Sequence, residues 1–154
     1  MPDPVAFSSH DHAQCEKTAL AKAEAHCREH KLRLTPVRRA ALEILLSEHR
    51  ALGAYEVLEK LAAAGHGSHP PAAYRALSFL TDAGLAHKVE ALNAYVACSH
   101  SGNSHTPVFL VCTSCNNVAE AEMNSHGLDS AAHASGFEIK RSVIEATGLC
   151  PGCQ

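Results

Sequence analysis

From residue 16 to Gly84, helix-forming residues and apolar residues at helical spacing occur in short segments separated by turn residues. Thr35 followed by Pro36 has the form of a helix start, because Thr caps the first free N–H groups and Pro suits the first helical position. Gly84 marks the end of the last such segment. The pattern predicts four helices, over residues 16–31, 36–47, 54–64 and 71–83.

Strand-like alternation replaces helical spacing after Gly84. Two short segments joined around Asn93 predict a β-hairpin, which beside a helix-turn-helix is typical of the wing of a winged helix. A further helix is predicted over residues 126–135. The predicted strands are residues 85–90, 94–98, 107–112, 117–122 and 137–147.

These elements predict an α+β fold in two parts. An N-terminal winged helix-turn-helix is followed by a small α/β domain with a three-stranded sheet. The predicted divisions are a mobile tail (1–15), the winged-helix domain (16–98), a polar hinge (99–106) and the second domain (107–154). Neither part buries much surface at this length, so a structural metal is expected to help.

The net charge of -3 is unevenly distributed along the chain. Residues 1–91 carry 11 Lys and Arg against 11 Asp and Glu, whereas residues 92–154 carry 2 against 5. A local basic cluster, rather than the total charge, is what attracts nucleic acid. The cluster in the first part contains Arg28, Lys31, Arg33, Arg38 and Arg39.

Cysteine and histidine are abundant, at seven and twelve residues. There is no apolar signal segment, and no apolar run approaches the roughly 18 residues that span a membrane. We therefore expect a cytoplasmic protein with no membrane partner, in which Cys-x-x-Cys pairs bind metal rather than form disulfides.

Two such pairs, Cys112 with Cys115 and Cys150 with Cys153, are separated by 34 residues. Four thiolates suit the tetrahedral coordination of structural zinc, which leaves no open position for catalysis. The alternative is a redox dithiol. We also find no serine-hydrolase or His-Glu-x-x-His arrangement, so the protein is not expected to be an enzyme.

A second group of ligand types contains His87, Cys98, His105 and Glu120. Their combined charge of -2 is neutralised by one divalent ion, and the thiolate favours zinc over iron or manganese. The group spans both predicted domains, so metal occupancy would set the orientation of one domain against the other. His100, His126 or Glu122 remains an alternative member.

Several motifs together resemble the ferric uptake regulator family, and most closely its zinc uptake branch. The resemblance covers nearly the whole chain from about residue 18. Its motifs are residues 33–38 (RLTPVR), 54–55 (AY), 70–77 (PPAAYRAL), 87–90 (HKVE), 95–98 (YVAC), 143–146 (VIEA), 148–153 (GLCPGC) and the Cys112–Cys115 pair.

The resemblance implies a homodimeric, zinc-responsive repressor of zinc-uptake genes that binds AT-rich palindromic DNA and holds two zinc ions per chain. The four knuckle cysteines then match the structural zinc site, and the second group matches the regulatory zinc site. Ala72 stands where the family usually has a hydroxyl residue. Residues expected at the DNA are Tyr55, Tyr74 and Arg75, with Arg28, Arg38 and Arg39 at phosphates.

Three alternatives stay open. The same scaffold senses iron, manganese or peroxide in other branches, although the family's His-rich run before the first knuckle is absent here. A zinc-bound thiol redox protein is an alternative from another class. The third is a zinc-stabilised protein-interaction module that does not bind DNA.

Overall fold

A computed structural model describes residue 7, residues 11–101 and residues 105–154 of the chain. The predicted hinge therefore lies partly outside the described residues, as does most of the predicted tail. The helices are α1 (His12–Glu29), α2 (Pro36–Leu46), α3 (Ala54–Ala63), α4 (Pro70–Asp82) and α5 (His126–Ala134). The strands are β1 (Ala86–Val89), β2 (Ala94–Ala97), β3 (Val108–Cys112), β4 (Val118–Ala121) and β5 (Ile144–Gly148).

Helix α1 begins four residues earlier than predicted. The Asp11 side chain accepts a hydrogen bond from the Gln14 N–H at 3.2 Å, which caps the helix at His12. Residues 12–15, assigned to the predicted mobile tail, are therefore helical. The helix buries Ala23 and Cys27 against α2 and its neighbours.

Helices α2, α3 and α4 form the main core of the first unit. Thr35 caps α2 as predicted, with its side chain accepting from the Arg38 N–H at 3.4 Å. Each of the three helices has one apolar face, and burial of those faces stabilises helices too short to persist alone. Fully buried members of this core are Leu42, Leu45, Leu52, Val57, Leu61, Leu77, Leu80 and Leu85.

The predicted wing is an antiparallel hairpin of β1 and β2. Between the strands, a 3-10 turn over Glu90–Leu92 ends at Asn93, whose φ of 46° is in the left-handed region that Asn tolerates. The wing, three of the helices and the turn between α3 and α4 make a winged helix-turn-helix, as predicted.

The second unit is a three-stranded mixed sheet of order β4-β3-β5 with α5 on the connection between β4 and β5. Strand β5 pairs parallel with β3, and β4 pairs antiparallel with it. The prediction of a strand from residue 137 was wrong for residues 137–143. The first paired residues are Val108 and Ile144, and the preceding Pro107 has no N–H with which to continue the ladder.

The two units share a second hydrophobic core. Val89 and Val96 of the wing pack with Phe109 and Val118 of the sheet, and Ala51 joins them from the loop after α2. That loop also forms backbone bridges to both units, Arg50 with Asn117 and Leu52 with Tyr95. Among the described residues, no helix is long and apolar enough to cross a membrane.

Replacement of Leu77 tests the core on the inner face of α4. Because Leu77 is fully buried, Leu77→Ala should lower the free energy of unfolding by about 2–5 kcal/mol in urea denaturation. Ser78→Ala, on the exposed face of the same helix, should change it by less than about 0.5 kcal/mol. Equal denaturation midpoints for the two variants would contradict this packing.

Candidate metal centres

The parallel pairing of β3 with β5 brings the two Cys-x-x-Cys knuckles together. Cys112 is the last residue of β3 and pairs with Gly148 at the end of β5, two residues before Cys150. Parallel strands have their carboxyl ends at the same edge of a sheet. The sulfur atoms of Cys112, Cys115, Cys150 and Cys153 all lie within 4.8 Å of one another.

Backbone amides prepare the first knuckle to bind a cation. The Cys150 N–H donates to the Cys112 sulfur at 3.4 Å. This bond, followed by the Cys115 N–H, lowers the pKa of Cys112 to about 6. A thiolate is the form that binds zinc, so Cys112 favours the charge state that the metal needs.

The second group of predicted ligands also converges. His87 lies in β1, Cys98 directly follows β2, His105 precedes β3 and Glu120 lies in β4. One ligand atom from each of the four lies within 4.8 Å of the others. His105 Nε2 is 2.6 Å and His87 Nε2 is 3.6 Å from Glu120 Oε1, and the Cys98 sulfur is 3.7 Å from His105 Nε2.

The geometry of Glu120 ties this group to the chain between the units. Its side chain is only 4% exposed. Oε1 faces the other three ligands, while Oε2 accepts from the Ser99 N–H at 2.8 Å and the Ser99 hydroxyl at 2.9 Å. Ser99 was not identified from the sequence, because a lone Ser in a polar segment has no pattern that marks it.

The charge states fit a site that exchanges a proton for a metal ion. Burial, and then the nearby Glu120 carboxylate, raise the pKa of the Cys98 thiol to about 12. Burial also lowers the pKa of His87, so its ring is neutral. Burial would raise the pKa of Glu120, but the Ser99 hydrogen bond and His87 outweigh it and leave that pKa lowered.

These residues fit a zinc ion by their chemistry. His87 Nε2 is buried and has no hydrogen-bond partner among the described residues. A neutral imidazole is the form of histidine that can bind a metal ion. Two imidazoles, one thiolate and one carboxylate make a four-coordinate set with the mixed softness that zinc accepts.

The alternative ligands differ in their positions. His100 lies beside the group, with Nδ1 3.5 Å from Glu120 Oε1 and Nε2 2.9 Å from Glu122 Oε1. His126 is exposed at the start of α5. None of these three belongs to the four-residue cluster.

Two of the residues expected at the DNA lie on the exposed face of α4. Tyr74 and Arg75 are exposed there, whereas Ala73, Ala76 and Leu77 face the core. Tyr55 is 66% exposed in the first turn of α3. An exposed tyrosine pair and an arginine on adjacent helices suit a groove-binding surface.

The basic cluster is less available than its composition suggests. The Arg38 guanidinium lies 3.9 Å from the centre of the Phe79 ring and donates to the Arg33 carbonyl at 2.7 Å. Arg39 is paired with Glu24 and Glu43. Arg28 is exposed near the end of α1. Phosphate contact by these three arginines remains a prediction.

The fold and the two ligand clusters define a class of protein: a winged helix followed by a sheet-based second domain, with two candidate metal centres. The chain belongs to the ferric uptake regulator family, whose sequence model matches residues 29–147. The Zinc uptake regulation protein of Escherichia coli (strain K12) is 39% identical over 137 residues, which cover 87% of this chain and 80% of that protein.

Solved structures are similar to different extents. A zinc uptake regulator complexed with zinc and DNA has a TM-score of 0.82 at 37% identity, covering 89% of this chain and 93% of that one. Holo XcZur has a TM-score of 0.80 at 36% identity, covering 89% and 96%. Apo XcZur, at 35% identity and covering 91% and 98%, has a TM-score of only 0.54.

The two forms of XcZur differ in their structural similarity to this chain. Their identity to this chain is nearly equal, at 36% and 35%, but their TM-scores are 0.80 and 0.54. This chain is therefore more similar in structure to the holo form than to the apo form of XcZur.

Cysteine substitutions should separate the roles of the two centres. Cys112→Ala is expected to lose the knuckle ion and unfold the second unit, since small zinc modules gain about 10 kcal/mol from metal. Cys98→Ala should lose only the other ion and keep its helical and sheet content. Metal count per chain and circular dichroism measure both effects, with Cys15→Ala as the control outside the clusters. Unfolding by Cys98→Ala would contradict the division of roles.

Zinc binding at the second centre should release about one proton from Cys98, because its thiol is protonated at neutral pH and zinc binds the thiolate. Calorimetry in buffers of different ionisation enthalpy, on protein with the knuckles already filled, measures that proton. Binding without proton release would show that Cys98 does not bind as a thiolate.

Proposed function

We propose that this protein is a zinc-responsive transcriptional repressor. It binds palindromic operator DNA as a homodimer when its regulatory zinc site is filled, and it controls zinc-uptake genes. The observation that carries this proposal is the second centre, whose ligands come from the wing, the hinge and the sheet. The similarity of this chain to a zinc uptake regulator complexed with zinc and DNA supports both zinc as the metal and DNA as the partner.

Two zinc ions per chain have different tasks in this proposal. The ion held by Cys112, Cys115, Cys150 and Cys153 stabilises the second unit, whose own core is small. The ion held by His87, Cys98, His105 and Glu120 links the units and stabilises one arrangement of the winged helix against the sheet. The greater structural similarity of this chain to holo XcZur than to apo XcZur supports that second role.

The dimer is the form that binds operator DNA. Two copies of α4 enter successive major grooves of an AT-rich palindrome, because two-fold symmetric proteins recognise two-fold symmetric sites. Arg75 contacts a guanine edge, and Tyr55 and Tyr74 contact the same groove or its backbone. The second unit supplies the apolar surface for dimerisation, with exposed Met123, Leu128, Phe137 and Leu149.

Sensing of iron, manganese or peroxide by the same scaffold is the second candidate. The buried Cys98 thiol at the centre argues against it, since those hard or borderline ions prefer oxygen and nitrogen ligands. A thiol redox role for the knuckles is also disfavoured, because four thiolates on one zinc ion leave no position for a substrate.

The proposal is tested by DNA binding as a function of free zinc. Fluorescence anisotropy with a labelled palindromic duplex should show tight, salt-dependent binding only when two zinc ions per chain are present. Cys98→Ala should abolish the zinc dependence while the protein remains a folded dimer. Equally tight DNA binding when iron or manganese, rather than zinc, fills the regulatory site would favour the second candidate instead.

Arg75→Ala tests the recognition surface. Its DNA affinity should fall about tenfold, since a guanine contact by Arg contributes about 1–3 kcal/mol. Lys140→Ala, an exposed cation on the second unit, should leave the affinity unchanged. If the two variants lost affinity equally, the exposed face of α4 would not be the DNA-reading surface.

A further inference from the structure

Phe109 lies at the centre of one row of the sheet that faces the wing. It pairs with Glu120 on β4 and with Glu145 on β5. Directly paired residues in neighbouring strands have their side chains on the same face. The three side chains therefore form one row, which we call the joint row: Glu120, Phe109 and Glu145.

The middle of the joint row is apolar and closely packed against the wing. Phe109 is fully buried, and its ring centre is 5.6 Å from that of His87. Val89 and Val96 belong to the same hydrophobic core. The ring fills the space between the two units but provides no directional bond between them.

The two ends of the joint row are carboxylates that bind backbone amides of the other side. Glu120 accepts from Ser99 and also faces the metal ligands. Glu145 accepts from the Glu90 N–H at 2.6 Å and from the Ala91 N–H at 2.9 Å, one bond to each carboxylate oxygen. Glu145 is not part of either metal cluster.

The Glu145 carboxylate accepts hydrogen bonds from N–H groups that the turn in the wing does not cap itself. The first N–H groups of a helical turn have no partner within the turn. The 3-10 turn over Glu90–Leu92 has no capping hydrogen bond from its own N-cap side chain. A carboxylate on the other unit takes that role, and charge-assisted hydrogen bonds of this kind are stronger than neutral ones.

The capped turn is directly connected to a metal ligand. Glu90 follows β1, and His87 lies within β1, three residues earlier. Fixing the end of β1 against β5 therefore also limits the positions available to the His87 ring relative to Glu120. The other predicted ligands directly follow β2 (Cys98), precede β3 (His105) and lie in β4 (Glu120).

We propose that Glu145 is a positioning residue that acts as a metal-independent latch between the wing and the sheet. The latch holds β1 so that His87 lies within reach of the other three ligands before zinc arrives. Latch and zinc then stabilise the same arrangement, so loss of the latch lowers the apparent affinity for zinc. This inference rests on the assignment of the regulatory zinc site in the proposed function.

The test compares Glu145→Ala and Glu145→Gln with the parent chain as full-length protein loaded with zinc at the knuckles. Glu138→Gln is the matched control, because that carboxylate pairs with Lys140 on the surface of the same unit. Hydrogen exchange at the Glu90 and Ala91 amides reports the latch itself. Competition with a zinc chelator reports the affinity of the regulatory site, and anisotropy reports DNA binding.

Glu145→Ala should lose exchange protection at the Glu90 and Ala91 amides and bind regulatory zinc about tenfold more weakly, as expected for loss of hydrogen bonds to a charged group. Glu145→Gln retains one acceptor oxygen and should lie between Glu145→Ala and the parent. The zinc required for half-maximal DNA binding should rise in the same order. The knuckle ion and the control variant should be unaffected.

Two results would overturn the latch. One is unchanged amide exchange and unchanged zinc affinity in Glu145→Ala. The other is loss of the knuckle ion together with regulatory zinc, which would mean that Glu145 only stabilises the second unit. Failure of the parent to bind DNA with zinc would instead refute the proposed function, because exchange and zinc affinity are measured without DNA.

Discussion

The parallel pairing of β3 with β5 is the constraint on which both candidate metal centres depend. At the carboxyl end of the pair, it brings Cys112 beside the chain that leads to Cys150. In the middle of the pair, it places Phe109 beside Glu145. The antiparallel partner β4 then adds Glu120 on the other side of Phe109. A parallel pair needs a long connection between its strands, and here α5 lies on it.

The two centres answer different physical problems. The second unit is a small sheet with few aromatic side chains, so burial alone contributes little to its stability. Four thiolates on one ion can add folding free energy, because the site does not exist in the unfolded chain. The second candidate centre instead draws its ligands from both units, so an ion bound there would link them. Its free energy can therefore be used to select an arrangement of the two units.

The wing contacts the sheet through both apolar and polar groups. Phe109 contributes buried apolar area, whereas the carboxylates at the ends of the joint row contribute directional hydrogen bonds. Glu120 uses one oxygen for the hinge and the other for the metal ligands. The wing and the sheet are therefore held together by apolar packing and by hydrogen bonds to carboxylates.

Local structural features could be predicted from the sequence by itself. The Thr35–Pro36 helix start, the apolar face of α4 and the hairpin joined around Asn93 depend on neighbouring residues, and the structure confirms each of them. The Cys-x-x-Cys spacing likewise predicted a pair of candidate ligands within one turn, and the structure brings the two pairs together. These features follow from short-range sterics and hydrogen bonding, which do not need the rest of the chain.

Tertiary structure decided what depends on pairing between distant segments. The bonds from Glu145 cross 55 and 54 residues of chain, and no spacing rule marks them. The basic cluster looked open in sequence, yet Arg39 is paired with Glu24, 15 residues away. Strand β5 begins at Ile144 because its partner strand follows Pro107, not because of its own alternation. Register and partners between strands are set by packing of the whole sheet, which a single sequence does not specify.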